Sequence, residues 1–466
     1  MKTRVLTTVL CILLIFSALS AFSFAENDNA LMYDTSKYDT SKVVELNVYN
    51  WGEYISDGSE DSLNSNEEFE RWCLEKYGVR VKVNYSTYDN NENMYSKIKS
   101  SAVSYDIIIP SDYMIQKMAG EGLLLKFEAE SIPNYKNIDA KFKNSYYDKD
   151  NLYSVPYSYG MVGVIYNSDL VDEEDVRDES WSLLWNEKYR SKILQFNNPR
   201  DAFASAMYWK GLDINSEDPA VWEAALQVLK EQKPLLQGYV NDEVFNKMES
   251  SSAAIAAYYA GDYLTMSCQN EALEFYYPKE GTNYFVDAMC IPKSSKNPYL
   301  AMEYINFMLN VEEGQEESSA AIANALYIGY ATPNAAVRSN EFYIETLTSE
   351  DWYGEKAEDI LYGADPIDHN AAYAEAIGKT GDLAKEAPCY KSFSPAVQEK
   401  VNTLWESLKT ENATELWIHI AAIAITASVL AWGIYSSYIK KKRSKDYRLR
   451  DKAIKTAKEA KIKNLI

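Results

Sequence analysis

The chain has 466 residues, 47% of them hydrophobic, and a formal net charge of −22, a composition that excludes an intrinsically disordered chain and fits a globular one. The tail from Lys440 carries +9 (twelve Lys/Arg against three Asp/Glu) and the first 25 residues +2, which leaves −33 on residues 26–439. So acidic a body repels nucleic acid and anionic surfaces and draws cations toward its clefts.

The first segment, MKTRVLTTVLCILLIFSALSAFSFAEN, has a basic start, an apolar run, and Ser23 and Ala25 at a cleavage spacing, so residues 1–25 are expected to be a signal peptide. Residues 26–43, with YDTSK repeated at Tyr33 and Tyr38, are a polar spacer. Strands and helices then alternate. VVELNVYNW is a strand, SNEEFERWCLEKYG a helix ending at Gly78, VRVKVNYSTY a strand, NENMYSKIKSSA a helix, YDIIIPS a buried strand and DYMIQKMAGEG a helix. That order predicts a mostly parallel, doubly wound sheet with ligands beyond the carboxyl ends of its strands, where Trp51, Ser86, Thr87, Ser111 and Tyr113 fall.

The pattern resumes in a second lobe through GMVGVIYNS, a helical stretch near Trp181–Tyr189, KILQFNNPRDAF, SSAAIAAYYAGDY, YFVDAMCIPK and PYLAMEYINFMLN. LYSVPYSYG and YFVDAMCIP would cross between the lobes, and a cleft between hinged lobes suits a small ligand. Farther on, Leu416–Ile439 contains no Lys, Arg, Asp or Glu and is followed by KKKRSK. As a helix it would extend about 36 Å, so the expectation is a transmembrane helix at 416–439 and a basic cytoplasmic tail at 440–466.

Several residue types point to chemistry. Trp51, Glu53 and Tyr54 stand within four residues at a strand end, an arrangement a core strand does not need and an organic cation would use. The 38 tyrosines join apolar rings to polar tips and suit a wet, partly apolar groove, although most must serve surface and core. Two histidines, and Cys73, Cys268, Cys290 and Cys389 without metal-ligand spacing, supply no metal, cofactor or histidine-based catalytic motif. Spacing leaves the pairing of these cysteines open.

The motifs YNWGEYI, YSTYDNNENMYSKI, YDIIIPSDYMIQKM, VPYSYG, YAGDY, FVDAMCIPK and YATPN occur in the order found in one family, over about Val44 to Lys409. The chain thus resembles the extracellular solute-binding proteins of polyamine ABC transporters, the spermidine/putrescine-binding family. The resemblance implies an α/β, two-lobed type II periplasmic-binding-protein fold over residues 44–412, with lobe 1 at about 44–155 and 288–330, lobe 2 at about 156–287, and the remainder bridging them. It implies a polyamine ligand, ABC permease partners, no nucleic acid and no catalysis.

By the same resemblance, Trp51, Glu53 and Tyr54 form the first cleft loop, Ser111 and Tyr113 the next strand end, and Asp201 an acid of the second lobe. Tyr259 stands where Trp is usual, Asp262 matches putrescine-preferring members, Asp287 an amine-binding acid, and Tyr330 the aromatic before TPN. Asn198 in place of an aspartate, and Phe285 and Tyr259 in place of Trp, leave the preferred polyamine open.

Amines need desolvated carboxylates and methylenes need apolar walls. Glu53, Asp201, Asp262 and Asp287 could supply the first; Trp51, Tyr54, Tyr113, Tyr259, Phe285 and Tyr330 the second. Phe285 and Tyr330 would equally serve as plain core, Tyr113 could pack beneath its helix, Asp262 could be a cap, and Arg200 could hold a neighbouring carboxylate. The expected function is a membrane-tethered receptor feeding a permease. An anchored polyamine sensor and an extracellular carboxylate-dependent hydrolase are the alternatives.

Overall fold

The computed structural model describes residues 40–59, 62–100, 103–311, 314–410 and 413–463. The expected signal peptide and most of the spacer lie outside them. Two compact units result, one ending at Val401 and one from Asn402 to Ile466.

Among the described residues of the first unit, nine strands form one sheet in the order β2-β1-β3-β9-β4-β7-β5-β6, with β8 on β4. The strands are β1 Val43–Trp51, β2 Arg80–Tyr88, β3 Ile107–Ile108, β4 Ser154–Asn167, β5 Ile193–Phe196, β6 Leu236–Val240, β7 Ile255–Tyr259, β8 Leu273–Tyr276 and β9 Tyr284–Cys290. Two parallel triplets, β2-β1-β3 and β7-β5-β6, occupy the two ends. In each triplet the strand that comes first in the chain is the central one.

The parallel reading holds within these triplets and fails for the sheet as a whole. The 14-residue β4 pairs antiparallel with β9, β7 and β8, and β9 pairs antiparallel with β3. The reason lies in the two segments read as crossovers. They run past each other in opposite directions from Ser154↔Cys290 to Met161↔Tyr284, and so stitch the triplets into one mixed sheet.

The helices that follow the strands are α1 Ser65–Tyr77, α2 Asn91–Ser100, α3 Asp112–Gly120, α4 Pro199–Trp209, α5 Glu243–Glu249 and α6 Ala260–Gln269. Local chemistry sets their ends. The Asn64 side chain accepts from Glu67 N, and Gly78 closes α1 in the left-handed region at φ 66°, which glycine adopts without steric cost. Phe69 and Cys73 turn the buried face of α1 inward. Pro199 opens α4, where a missing N–H costs nothing, and Asn198 caps it. The expected helix near Trp181–Tyr189 is instead two 3-10 turns, Trp181–Trp185 and Glu187–Tyr189, each begun by its own side-chain cap, Ser180 and Asn186.

Cys73, Cys290 and Cys389 are buried free thiols. α7, Pro395–Thr410, reaches across the boundary between the units. Within the second unit, α8 is one helix of 51 residues, Ala413–Lys463. Among the described residues no helix is long and apolar enough to cross a membrane. The side chains of residues 411–422, which include the first seven of the expected span, lie outside that description. Ile425, Val429, Leu430, Trp432 and Ile434 in its remainder are exposed.

Candidate functional site: a carboxylate-rich aromatic cleft

The carboxyl ends of both parallel triplets open on one cleft of about 960 Å³, counting the space open to solvent. All eleven residues singled out from the sequence line it: Trp51, Glu53, Tyr54, Ser111, Tyr113, Asp201, Tyr259, Asp262, Phe285, Asp287 and Tyr330. Strand ends explain most of this placement. Trp51 ends β1, Ser111 follows β3, Asp201 follows β5, and Tyr259 ends β7. Phe285 and Asp287 lie on β9, where it crosses between the halves.

Asp287 is 5% exposed. Its Oδ2 accepts from Tyr54 Oη at 2.9 Å, while its Oδ1 is buried without a hydrogen-bond partner among the described residues. Burial pushes its carboxyl up to about 7, against the pull of the hydrogen bond from Tyr54. Ser111 faces Asp287 through an antiparallel bridge and is held by Asn91, whose Nδ2 donates to Ser111 Oγ at 3.0 Å. Tyr54 Oη also contacts Ser158 Oγ on β4.

Asp201, in contrast, has both oxygens engaged. Oδ2 accepts from Tyr259 Oη at 2.6 Å and Asn198 Nδ2 at 2.8 Å, and Oδ1 from Tyr390 Oη at 2.8 Å. Asp262 sits in the first turn of α6, close to Tyr330, and burial pushes its carboxyl up to about 8. Tyr113 Oη donates to Glu92 Oε1 at 3.1 Å, and burial raises the Glu92 carboxyl above its ordinary value. Tyr113 therefore lines the cleft as well as packing on its helix.

The walls are rings in mutual contact. Tyr54 and Tyr330 meet edge to face at 5.1 Å, Phe285 lies 5.6 Å from Tyr259 and 6.2 Å from Tyr330, and Trp51 lies 4.7 Å from Tyr88. The indole of Trp51 donates to Ile109 O at 2.9 Å, which fixes its plane. Two glycines permit close approaches. A Cβ on Gly52 would meet Asp242 Oδ2 at 2.4 Å, and one on Gly261 would meet Tyr330 Cδ2 at 2.4 Å. Glu53 itself holds a left-handed φ of 47°, a strained conformation for a residue with a Cβ.

Seven carboxylates line the cleft, Glu53, Asp89, Glu92, Asp201, Asp242, Asp262 and Asp287, against one guanidinium, Arg200. Arg200 does not neutralise them by pairing. Its guanidinium lies 5.0 Å from the Tyr113 ring, 4.3 Å from Tyr390 and 3.9 Å from Phe393, and it donates to Lys391 O and Asn215 Oδ1. The expectation that it would bind a carboxylate is corrected: the rings take it instead. So lined, the cleft is unsuited to an anion and suited to an elongated organic cation.

Sequence reasoning missed Asp242, Asp89, Glu92, Tyr258 and Tyr390, which also line the cleft. Asp89 and Glu92 lie in a quoted motif at the end of β2, so the strand-end rule could have found them. Asp242 follows β6, a short strand in LQGYVND with no clear alternation. Tyr390 had no signal.

The fold and cleft define the class first: an α/β periplasmic-binding-protein fold built around a solute cleft. Residues 67–348 match the family of bacterial extracellular solute-binding proteins, and the chain belongs to that family. It is similar to the spermidine/putrescine-binding periplasmic protein of Salmonella typhimurium, 32% identical over 296 residues, 63% of this chain and 78% of the relative. The spermidine/putrescine-binding periplasmic protein 1 of Haemophilus influenzae is 30% identical over 320 residues, 68% of this chain and 83% of the relative. Among solved structures, the spermidine/putrescine ABC transporter substrate-binding protein of Streptococcus pneumoniae superposes with a TM-score of 0.56 at 31% identity, covering 79% of this chain and 99% of its own. The family resemblance read from the motifs is the one these matches show. Membership in a solute-binding family assigns binding without catalysis, which sets the hydrolase alternative aside.

Two outcomes are expected. Gly261→Ala forces the Tyr330 ring to move and costs about 1–3 kcal/mol of stability, measurable by urea denaturation. The second concerns pH. Burial pushes Asp112 up to about 8, Asp262 to about 8 and Asp287 to about 7. The folded state therefore binds more protons than the unfolded state from about pH 4 upward. The stability these groups contribute is full below that pH and is lost as pH rises through their folded values. The ligand-free protein should show a lower urea midpoint at pH 8 than at pH 5.5, and Asp287→Asn should narrow the gap; equal midpoints would contradict this assignment.

Proposed function

We propose that this protein is an extracellular receptor that binds a polyamine, putrescine or spermidine, in the cleft and delivers it to an ABC permease for uptake. The observation that carries the reading is Asp287, a buried carboxylate with one oxygen unpartnered in an aromatic-walled, seven-carboxylate cleft. A protonated amine supplies both the missing donor and the compensating charge, and its methylenes suit the ring faces. The similar proteins of Salmonella typhimurium and Haemophilus influenzae, both named as spermidine/putrescine-binding, support the same ligand class.

The polyamine is held, on this reading, by Asp287 with Glu53, Asp201 and Asp262 as its carboxylates. Trp51, Tyr54, Tyr113, Tyr259, Phe285 and Tyr330 form the walls and Ser111 orients Asp287. The two lobes are residues of about 44–155 with 288–330, and about 156–287. The uncharged run Leu416–Ile439 followed by KKKRSK supports a C-terminal tether across the cell membrane, with the tail inside.

Calorimetric titration with putrescine, cadaverine, spermidine and spermine, with arginine and maltose as controls, tests the ligand. At least one polyamine should bind tightly, and Asp287→Asn should weaken it about thirtyfold or more, since a buried charge pair loses one partner. Binding requires ionised Asp287 and Asp262, so affinity should tighten from pH 6 to pH 8 with release of protons. Failure to bind any of the four polyamines overturns the reading. For the tether, deleting residues 416–466 should release the protein from the membrane fraction; persistence there would refute the anchor.

A further inference from the structure

One group reaches the cleft from outside the region matched to the family and from no strand end. The segment Cys389–Phe393 runs just ahead of α7 and is fastened to both halves of the sheet. Toward the half built on β5–β7, Asn215 Nδ2 donates to Cys389 O at 2.8 Å, Lys391 N to Asn215 Oδ1 at 2.8 Å, and Arg200 Nη1 to Lys391 O at 3.2 Å. Toward the half built on β1–β3, Tyr146 Oη donates to Tyr390 O at 2.5 Å and Ser392 N to Gln116 Oε1 at 3.0 Å. The segment is thus a strap between the halves, separate from β4 and β9.

Tyr390 is the residue of this strap that faces the cleft. Its ring is 3% exposed, stands edge to face with Tyr113 at 5.8 Å, and supports the Arg200 guanidinium. Its hydroxyl gives Asp201 Oδ1 its hydrogen bond, while Tyr259 and Asn198 hold Oδ2. Without that hydroxyl, Oδ1 of a carboxylate only 7% exposed would have no donor among the described residues. A carboxylate held on one oxygen alone can swing; one held on both is fixed in orientation.

We propose that Tyr390 is a positioning residue of the polyamine site: the strap uses its hydroxyl to set the Asp201 carboxylate and ties that setting to the contact between the two halves. The hydroxyl acts on the ligand only through Asp201, and its geometry is secured by bonds that Gln116, Tyr146 and Asn215 make to the strap backbone. The binding arm of the inference rests on the polyamine reading; the strap itself does not.

The test uses the full chain in detergent. Tyr390→Phe keeps the ring that packs on Arg200 and removes only the hydroxyl. Affinity for putrescine and spermidine is measured for the wild type, Tyr390→Phe, Asp201→Asn and the double variant. Amide hydrogen exchange at Lys391 and Ser392 is measured without ligand. Tyr390→Phe should weaken polyamine binding about tenfold, the effect of one charge-assisted hydrogen bond, and should cost nothing further in the Asp201→Asn background. Exchange at both amides should accelerate severalfold. A purely structural role would make the cost equal in both backgrounds, and that result overturns the proposal, as does unchanged exchange. If the wild type binds neither polyamine, the polyamine reading falls, and exchange alone decides whether Tyr390 fastens the strap.

Discussion

The structure turns on one buried carboxylate. Asp287 lies on β9, where the chain crosses between two parallel triplets, and one of its oxygens has no hydrogen-bond partner among the described residues. Removing an ionised carboxylate from water costs several kcal/mol unless a cation and hydrogen bonds replace the solvent. Tyr54 supplies a hydrogen bond but no charge, and burial raises the carboxyl to about 7. On the proposed reading, the charged form of Asp287 is stabilised by a cationic amine in the cleft. Binding and ionisation become one linked equilibrium.

The fold poses a second electrostatic constraint. Parallel triplets place helix N-termini, with their partial positive charge, at the same end as the cleft. Such a site is ordinarily disposed toward anions. Here the first turns of α2, α3, α4, α5 and α6 carry Glu92, Asp112, Asp201, Glu243 and Asp262. Carboxylates in these turns are favourably placed against the helix ends, and three of them, Glu92, Asp201 and Asp262, line the cleft and reverse the sign it presents. The acidic cleft and the parallel architecture therefore support each other.

How much of this could be read from the sequence follows from the range of the interactions. Alternation in VVELNVYNW and VRVKVNYSTY and the glycine after WCLEKY are local, so β1, α1 and β2 were legible, and with them the strand ends at Trp51 and Ser111. The antiparallel pairing of β4 with β9 depends on residues more than a hundred positions apart, so a parallel sheet was expected where a mixed one forms. Asp242 was hidden for a related reason. Its approach to Gly52 joins two strand ends from opposite halves, and neither segment signals the other. Tyr390 lies beyond the alternating region altogether.

The abundance of tyrosine acquires a specific meaning in the cleft. Tyr54 donates to Asp287, Tyr259 and Tyr390 to Asp201, and Tyr113 to Glu92. Each is a neutral donor on a flat apolar ring. A lysine or arginine in its place would orient the carboxylate equally well but would also cancel its charge, and an incoming amine would then have to displace it. A tryptophan would supply a wall of similar area, but its single fixed N–H could not reach the carboxylate from the same ring position. On the proposed reading tyrosine lets one side chain do both jobs, holding the acid in place at its tip and offering a face to methylenes along its length. The caging of Arg200 by Tyr113, Tyr390 and Phe393 follows the same logic, since it keeps this guanidinium on aromatic faces rather than paired with the carboxylates of the cleft.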